Sequence, residues 1–404
     1  MPMKTIAHVI PAYNPFPPIY PAGTELRVEQ VSLRQARYRA VVVCGGFDGQ
    51  APSESIGRMH IRRVHIGRLY RRLFQKITRL DPYPLFTRMS KAIADENVAL
   101  VHIHNEPKVL QGLLPFLKKH QLPTVVHVAN EKPLPKDASK PWPQKWVACS
   151  DYIAQWLIHE NGLPPERVCT IYTGVDSVQR PAHWNMGPTA RQQYRQAAGV
   201  PAECDYVIGF AGRLVQEKGV QELLDAFTQV RAALGEKVHL LIAGNVRESD
   251  DPRNEKAVYG KAVTQRIAQM PGVTWVGSLH PAKMHDFLTA CDLFAMPSLW
   301  HDPFPTVMLE AAAAGIPIVA GKRGGITEFL ADVPELTLLD EPGDANALAQ
   351  TMLSLLADPT RCRRIGEFLR QRVEQEYSWE RVTADFEKLY DSLLLPTKQH
   401  PAMT

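Results

Sequence analysis

The chain has 404 residues but only six cysteines, and none of them stands in a C-x-x-C or other metal-ligand spacing. That excludes a disulfide scaffold or a zinc module and leaves reduced, mostly buried thiols. No run of eighteen apolar residues occurs, so no membrane-spanning helix is expected. The apolar run in the opening MPMKTIAHVIPAYN is too short for a secretory signal and is broken by proline, which points to a cytoplasmic protein. Charge is not in large excess either. A formal net charge of +4 gives no case for a nucleic-acid partner. There is no G-x-S-x-G, hence no support for a serine hydrolase. The stretch AGIPIVAGKR imitates a P-loop, but the spacing from Gly315 to Gly321 is one residue too long, and Arg323 stands where Ser or Thr is needed.

What the chain does have is short apolar runs alternating with helical patterns. Candidate strands are 6–10, 40–44, 100–104, 124–128, 145–149 and 168–172, then 206–210, 238–243, 273–277, 293–297 and 316–320. Runs that are continuous rather than alternating predict strands buried on both faces, hence parallel sheets covered by helices such as 220–234. The length suits two domains. The rhythm breaks between Ser177 and Asp205 at Pro181, Gly187, Pro188, Gly199 and Pro201. The prediction is therefore an α/β protein of two doubly wound, Rossmann-like domains facing a central cleft. The first covers 1–178, completed by a returning helix at 379–397. The second covers 204–378, with 179–203 as the connection. Ligands in such folds bind at the carboxyl ends of the strands. The near-repeat VHIHNEP (101–107) and VHVANEK (126–132) sets Asn105, Glu106, Asn130 and Glu131 at two such ends, with His102 and His104 on one strand face.

Three windows carry chemistry. In 297–330 a strand ends at Pro297, a polar and aromatic loop crosses Trp300 to Pro305, and a helix starts near Thr306 and stops at Gly315. Free N–H groups at that helix start suit a phosphate. Asp302 and Glu310 flank it as acceptors for sugar or ribose hydroxyls. In GFAGRLVQEKGV (209–220) Arg213 and Lys218 follow a strand, a pair of cations suited to a diphosphate. In IYPAGTELR (19–27) Gly23 allows close backbone approach before a helix.

Together these windows resemble glycosyltransferase family 4, the retaining transferases of GT-B fold. Ala22-Gly23-Thr24-Glu25 stands for the family's loop after strand one, Gly212-Arg213 through Lys218-Gly219 for its G-R-x(4)-K-G, and Asp302 through Glu310 for its Glu-x7-Glu. The resemblance implies a hexosyltransferase that moves a sugar with retention from a nucleoside diphosphate, a UDP-sugar first among donors, without a metal. The acceptor would be a glycan or lipid-linked saccharide of cell-surface polysaccharide or lipopolysaccharide assembly. Carried over residue by residue, Arg213 and Lys218 hold the diphosphate and neutralise the leaving group. Glu310 accepts from the ribose, Asp302 meets the sugar hydroxyls, Thr306 and Val307 offer amides to a phosphate, and Gly324, Gly325 and Glu328 shape the sugar end. Two departures stand out: Asp302 replaces the family's Glu, and Ala129 lies where its catalytic-site histidine would. His127, on the same strand face, takes that role here, with His104 and Asn130 as alternatives.

Other readings compete. A zinc site of His102, His104 and His127 would need a fourth ligand. An epimerase of the same fold would consume donor without acceptor, and a sugar-nucleotide-binding scaffold would bind without turnover. Between Arg58 and Lys91 lie Arg58, Arg62, Arg63, Arg68, Arg71, Arg72, Lys76, Arg79, Arg88 and Lys91, opposed in sequence only by Asp81. Within it Leu69, Leu73, Ile77 and Leu80 share a helix face. Such a helix suits the anionic inner surface of a membrane; alternatively its apolar stripe packs on its own sheet.

Overall fold

The computed structural model describes residues 3–19, 23–65, 68–78, 84–136, 138, 140–176, 182, 185–246, 249, 251, 253–333 and 338–394. Ala22, Arg79, Leu80 and Asp81, the stretch 177–181 and residues 395–397, on which parts of the expectations above fall, lie outside the described residues. The chain divides into two compact units, Met1–Thr173 with Trp379–Thr404, and Gly174–Ser378.

The first unit is an eight-stranded sheet built from β1 (Thr5–Val9), β2 (Arg39–Gly45), β3 (Ser53–Ile56), β4 (Met59–Val64), β5 (Leu100–His104), β6 (Thr124–Val128), β7 (Lys145–Ala148) and β8 (Val168–Thr170). Their spatial order is β3-β4-β2-β1-β5-β6-β7-β8, with every pair parallel except β3 and β4. Helices α1 (Gly23–Arg34), α2 (Arg68–Thr78), α3 (Pro84–Asp95), α4 (Pro107–Lys119) and α5 (Asp151–Gln155) connect them. Strands β1, β5 and β6 are buried at every position, which explains their unbroken apolar runs. The order of strands reverses between β1 and β5.

The second unit holds a six-stranded, all-parallel sheet of β9 (Tyr206–Ala211), β10 (Val238–Ala243), β11 (Val273–Trp275), β12 (Leu293–Met296), β13 (Ile318–Gly321) and β14 (Leu338–Leu339). Its order is β11-β10-β9-β12-β13-β14, so the reversal falls between β9 and β12. The helices are α6 (Pro188–Ala197), α7 (Val220–Leu234), α8 (Glu255–Gln269), α9 (Met284–Ala290), α10 (Thr306–Ala313), α11 (Gly325–Leu330), α12 (Ala345–Leu356) and α13 (Pro359–Glu376). Helix α6 lies in the stretch read as a connection and is tied into this unit by two arginines. Arg191 and Arg195 both pair with Asp292, at 2.6 and 2.5 Å, and the same carboxylate accepts from the Val207 N–H at 2.7 Å.

The last helix, α14 (Trp379–Leu394), belongs to the first unit. Its Trp379, Val382, Phe386 and Tyr390 join Ile6, Val31, Tyr38, Leu100, Val125 and Val147 in one core. Each such side chain contributes about 1.5–3 kcal/mol on burial. The buried Glu387 carboxylate adds a polar anchor, accepting from the Ala36 and Arg37 N–H groups at 2.9 and 2.8 Å. These are the free amides of the turn that follows α1.

Each strand expected from the sequence is present, displaced at its ends by no more than two residues. The expectation did not include β3, β4 and β14, and the first two change the reading of the basic stretch. Arg63 is buried in β4, where it donates to the Phe16 carbonyl and pairs with Glu54. Arg62 pairs with Glu96 at 3.1 Å, and Lys91 with Asp95 at 3.0 Å. The opposing acids Glu54, Asp95 and Glu96 lie just outside the block in sequence and are brought onto it by the fold. The unanswered basic and apolar character narrows to α2, whose apolar stripe does not pack on the sheet: Leu69 is 73% and Ile77 79% exposed. Among the described residues no helix is long and apolar enough to cross a membrane.

Candidate functional site

At the strand-order reversal of the second sheet, the loops leaving β9 and β12 are held together by backbone contacts that demand glycine. After β9 the Gly212 N–H bonds the Ala243 carbonyl at 3.0 Å. A turn at Gln216–Lys218 follows and ends at Gly219 with φ 67°, in the left-handed region. A Cβ on Gly219 would lie 2.0 Å from the Pro297 carbonyl oxygen at the end of β12, so the two loops touch main chain to main chain. The Leu299 N–H donates to the Glu217 carbonyl at 3.0 Å and closes the contact.

This brings Lys218 and Asp302 together. The Lys218 ammonium forms an ion pair with the Asp302 carboxylate, and its Nζ lies 5.8 Å from the centre of the Trp300 ring. Asp302 is buried and Lys218 half-buried. The Asp302 loop is pinned from its far side as well. The Gly325 N–H bonds the Asp302 carbonyl at 2.8 Å, and the Gly324 N–H bonds His301 Nδ1 at 3.2 Å. A Cβ on Gly324 would meet that same Asp302 oxygen at 2.4 Å, and one on Gly325 the Pro303 oxygen at 2.0 Å. The glycines expected at the sugar end thus set the position of the acid.

Helix α10 starts at Thr306 directly after this loop, with Pro305 before it and no side-chain cap on its first amides. Thr306 and Val307 are half-buried and Glu310 lies one turn further on, also half-buried. A helix start of this kind favours an anion. Arg213 is exposed on the loop from β9, and Glu328 is half-buried in α11. Glu217, in the same loop, is held below the usual carboxylate range, first by its hydrogen bond with Lys256 and to a lesser degree by Arg213. One unit therefore gathers cations, acceptor carboxylates and helix-start amides at a strand-order reversal, an arrangement suited to a phosphorylated sugar. The sequence showed the acids and cations of this site. It did not show Gly219 as the contact that sets Lys218 on Asp302, or Trp300 as the ring beside the ammonium.

The first unit has its own strand-end cluster, at the reversal between β1 and β5. Gly23 opens α1 and is exposed. Glu25 is buried and accepts from Asn14 Nδ2 at 2.9 Å. Asn105, at the end of β5, adopts φ 51°, a conformation that side-chain-bearing residues seldom take. Its amide accepts from the Ala129 N–H at 3.0 Å and reaches Thr24 Oγ1 at 3.5 Å, while its carbonyl accepts from Lys132 Nζ at 3.0 Å.

His127 is the residue expected to take the catalytic histidine's role. It is fully buried in β6, and both ring nitrogens lack a hydrogen-bond partner of good geometry, the Ile171 main chain exerting only a weak pull. Burial, with Arg27 and His102 adding repulsion, holds its ring well below the ordinary imidazole range. His104 is likewise buried and held neutral. Ala129 and Asn130 are the first half-buried positions beyond β6, so of the three candidates Asn130 alone is not buried.

Two family descriptions match the chain: Glycosyl transferases group 1 over residues 191–372, and Glycosyltransferase Family 4 over residues 31–179. A lipopolysaccharide 1,2-N-acetylglucosaminetransferase of Salmonella typhimurium is 30% identical over 392 residues, covering 95% of this chain and 97% of that protein. Among solved structures, a glycosyltransferase from Rickettsia africae aligns with a TM-score of 0.76 at 16% identity, over 98% of this chain and 100% of its own. An Anabaena protein in complex with UDP and glucose aligns with a TM-score of 0.73 at 20% identity, over 96% and 100%. At these identities the solved structures speak for the fold, and the fold is GT-B.

Proposed function

The chain belongs to glycosyltransferase family 4 and is a glycosyltransferase, and from that premise we propose that it moves a sugar, with retention, from a nucleoside diphosphate to a saccharide acceptor of lipopolysaccharide or related polysaccharide assembly. The observation that carries the reading is the Lys218–Asp302 pair beside the uncapped start of α10. A donor diphosphate offers Lys218 and Arg213 a stronger partner than a single carboxylate, and Thr306 and Val307 add amides to it. With Lys218 drawn to the diphosphate, Asp302 is free to accept from the donor's sugar hydroxyls, while Glu310 accepts from the ribose. The bond from the anomeric carbon to the diphosphate oxygen breaks, and the acceptor hydroxyl oxygen bonds that carbon on the same face as its proton passes to the departing diphosphate oxygen. The charge left on the diphosphate falls among groups already in place, so no metal is called for. In the first unit Asn130, half-buried just past β6, is the polar residue proposed for the acceptor in place of the buried His127. A UDP-sugar is the first donor to test, because the Anabaena neighbour is in complex with UDP and glucose.

The acceptor reading extends to the membrane. Helix α2 turns Leu69, Tyr70, Leu73 and Ile77 outward, with Arg72 and Lys76 exposed among them. A peripheral site on the cytoplasmic leaflet, where a lipid-linked acceptor would lie, accounts for that surface.

The test is thermal unfolding with UDP, GDP, ADP and their common sugars, repeated with Glu310→Ala and Arg213→Ala. Stabilisation by one nucleotide class, lost in both variants, is expected. Proton NMR of the product then reports the anomeric configuration. No stabilisation by any nucleotide in the folded protein sinks the donor assignment, and an inverted product sinks retention.

A further inference from the structure

The sheet of the first unit carries four histidines on the face that α14 covers. His8 of β1 is in register with His102 of β5, and His104 follows two residues on, in register with His127 of β6. Partners in register and residues two apart project to one side. All four are buried. The ring of His127 stands off, its centre 6.2 Å from that of His104, but one ring nitrogen each from His8, His102 and His104 lie within 4.8 Å of one another. The trio that converges is therefore not the His102, His104 and His127 suggested by the sequence; His8 takes the place of His127.

We propose that His8, His102 and His104 form a buried site for one divalent transition-metal ion of the zinc type, with a small anion in its fourth position. His8 Nδ1 and His104 Nε2 are 3.1 Å apart. Two imidazole nitrogens about 2.0–2.1 Å from a tetrahedral zinc lie roughly 3.3–3.4 Å apart, so this edge of the site is nearly formed. The surrounding contacts have the pattern of outer-shell support. Gln35 Oε1 lies 3.1 Å from His8 Nε2; a proton held there leaves the Nδ1 lone pair facing the cluster. Tyr390 OH lies 2.7 Å from His102 Nδ1, which leaves His102 Nε2 as the ligand atom, and that buried nitrogen has no hydrogen-bond partner. Metal-bound histidines are oriented in this way by a polar group on the far ring nitrogen.

The fourth ligand follows from charge. Arg27 is buried, its Nε and Nη2 lack partners, and it acts on both His102 and His104. No carboxylate belongs to the metal-capable trio. A bare dication beside a buried guanidinium is unfavourable, whereas an ion carrying chloride or hydroxide relieves the repulsion and offers Arg27 an acceptor. The ion would tie β1, β5 and α14 together, in the unit opposite in sequence from the Lys218–Asp302 site and independent of the donor reading.

The experiment uses the full chain without a polyhistidine tag. It is unfolded with a chelator, refolded with Zn²⁺, with Co²⁺ or with neither, and desalted before metal analysis, visible spectroscopy and thermal unfolding. The expected result is about one ion per chain, the intense visible bands of tetrahedral Co²⁺, and a melting temperature that rises with free metal. Gln35→Leu keeps the ligands and should weaken metal affinity about 10- to 100-fold; His8→Gln should abolish it. No retained metal and no thermal shift in folded wild-type protein overturns the proposal. Unchanged retention in both variants, folded by circular dichroism, overturns it equally, because the metal then sits elsewhere.

Discussion

Lys218 and Asp302 stand 84 positions apart in the chain, yet the ammonium of one is paired with the carboxylate of the other at the strand-order reversal of the second sheet. The pair keeps a half-buried cation and a buried acid in place before a ligand arrives, so neither has to be ordered afterwards.

Replacing either member by alanine is expected to lower transfer by about 10²–10³-fold in kcat/KM, the range for losing one preorganised charge at a reacting centre. Because each holds the other in place before the donor binds, the losses are coupled and the double variant should cost less than their product. Steady-state kinetics with the identified donor decide it, and losses that multiply would mean that the two groups work independently.

Gly219→Ala is expected to disturb the site without touching its charges. It combines a left-handed φ of 67° with a Cβ placed 2.0 Å from a carbonyl oxygen. Strain of this kind costs on the order of 1–3 kcal/mol, and each kcal/mol lowers the melting temperature of a domain of this size by roughly 2–4 °C. Calorimetry reads the shift. A melting temperature equal to that of the wild type, with donor binding intact, would show that the loop from β9 can leave Pro297.

Flotation with liposomes tests α2. Binding should require anionic lipid and weaken as salt is raised. Arg72→Gln with Lys76→Gln removes about 1 kcal/mol per charge, roughly 30-fold together. Leu73→Ser with Ile77→Ser should remove what remains, since both side chains are exposed and serve no core. Equal recovery with neutral and anionic vesicles, or none with either, contradicts the membrane reading.

Acid should loosen the second unit through His239 of β10. Burial, with Arg231 adding repulsion, pushes this imidazole down to about 4, and its Nε2 lies 2.9 Å from Thr274 Oγ1. The ring is therefore neutral in the fold but takes a proton in the unfolded chain below its ordinary pKa of about 6.5. The unfolded state binds more protons in that window, so stability rises with pH. The contribution is complete above about pH 6.5 and is lost as pH falls towards 4. Urea midpoints from pH 7 to 4 should fall less in His239→Phe than in the wild type; parallel curves would assign the acid sensitivity elsewhere.

Much of this was legible in the residues, because buried parallel strands leave unbroken apolar runs and the cations and acids of the candidate site sit in short windows after them. The strand β4 was not legible. Its MHIRRV alternates, and its arginines read as surface until the fold supplies Glu54 and Glu96 from other elements. His8 was hidden for a related reason. It looks like one more residue of an apolar strand, and only the register between β1 and β5 places it on His104. The burial of His127 depends on neighbours contributed by β5, β7 and α14, which no window around residue 127 contains.

Helix α14 lies beyond the whole second unit in the chain, yet Phe386 and Tyr390 complete the core that begins at Ile6. During synthesis the first unit therefore leaves the ribosome lacking one wall, and stays so until more than two hundred further residues have been added. The second unit, uninterrupted in the chain, has no such wait. The half made first is thus the half finished last, and a ribosome that stalls after Ser378 releases a protein with a whole second unit and an open hydrophobic face on the first.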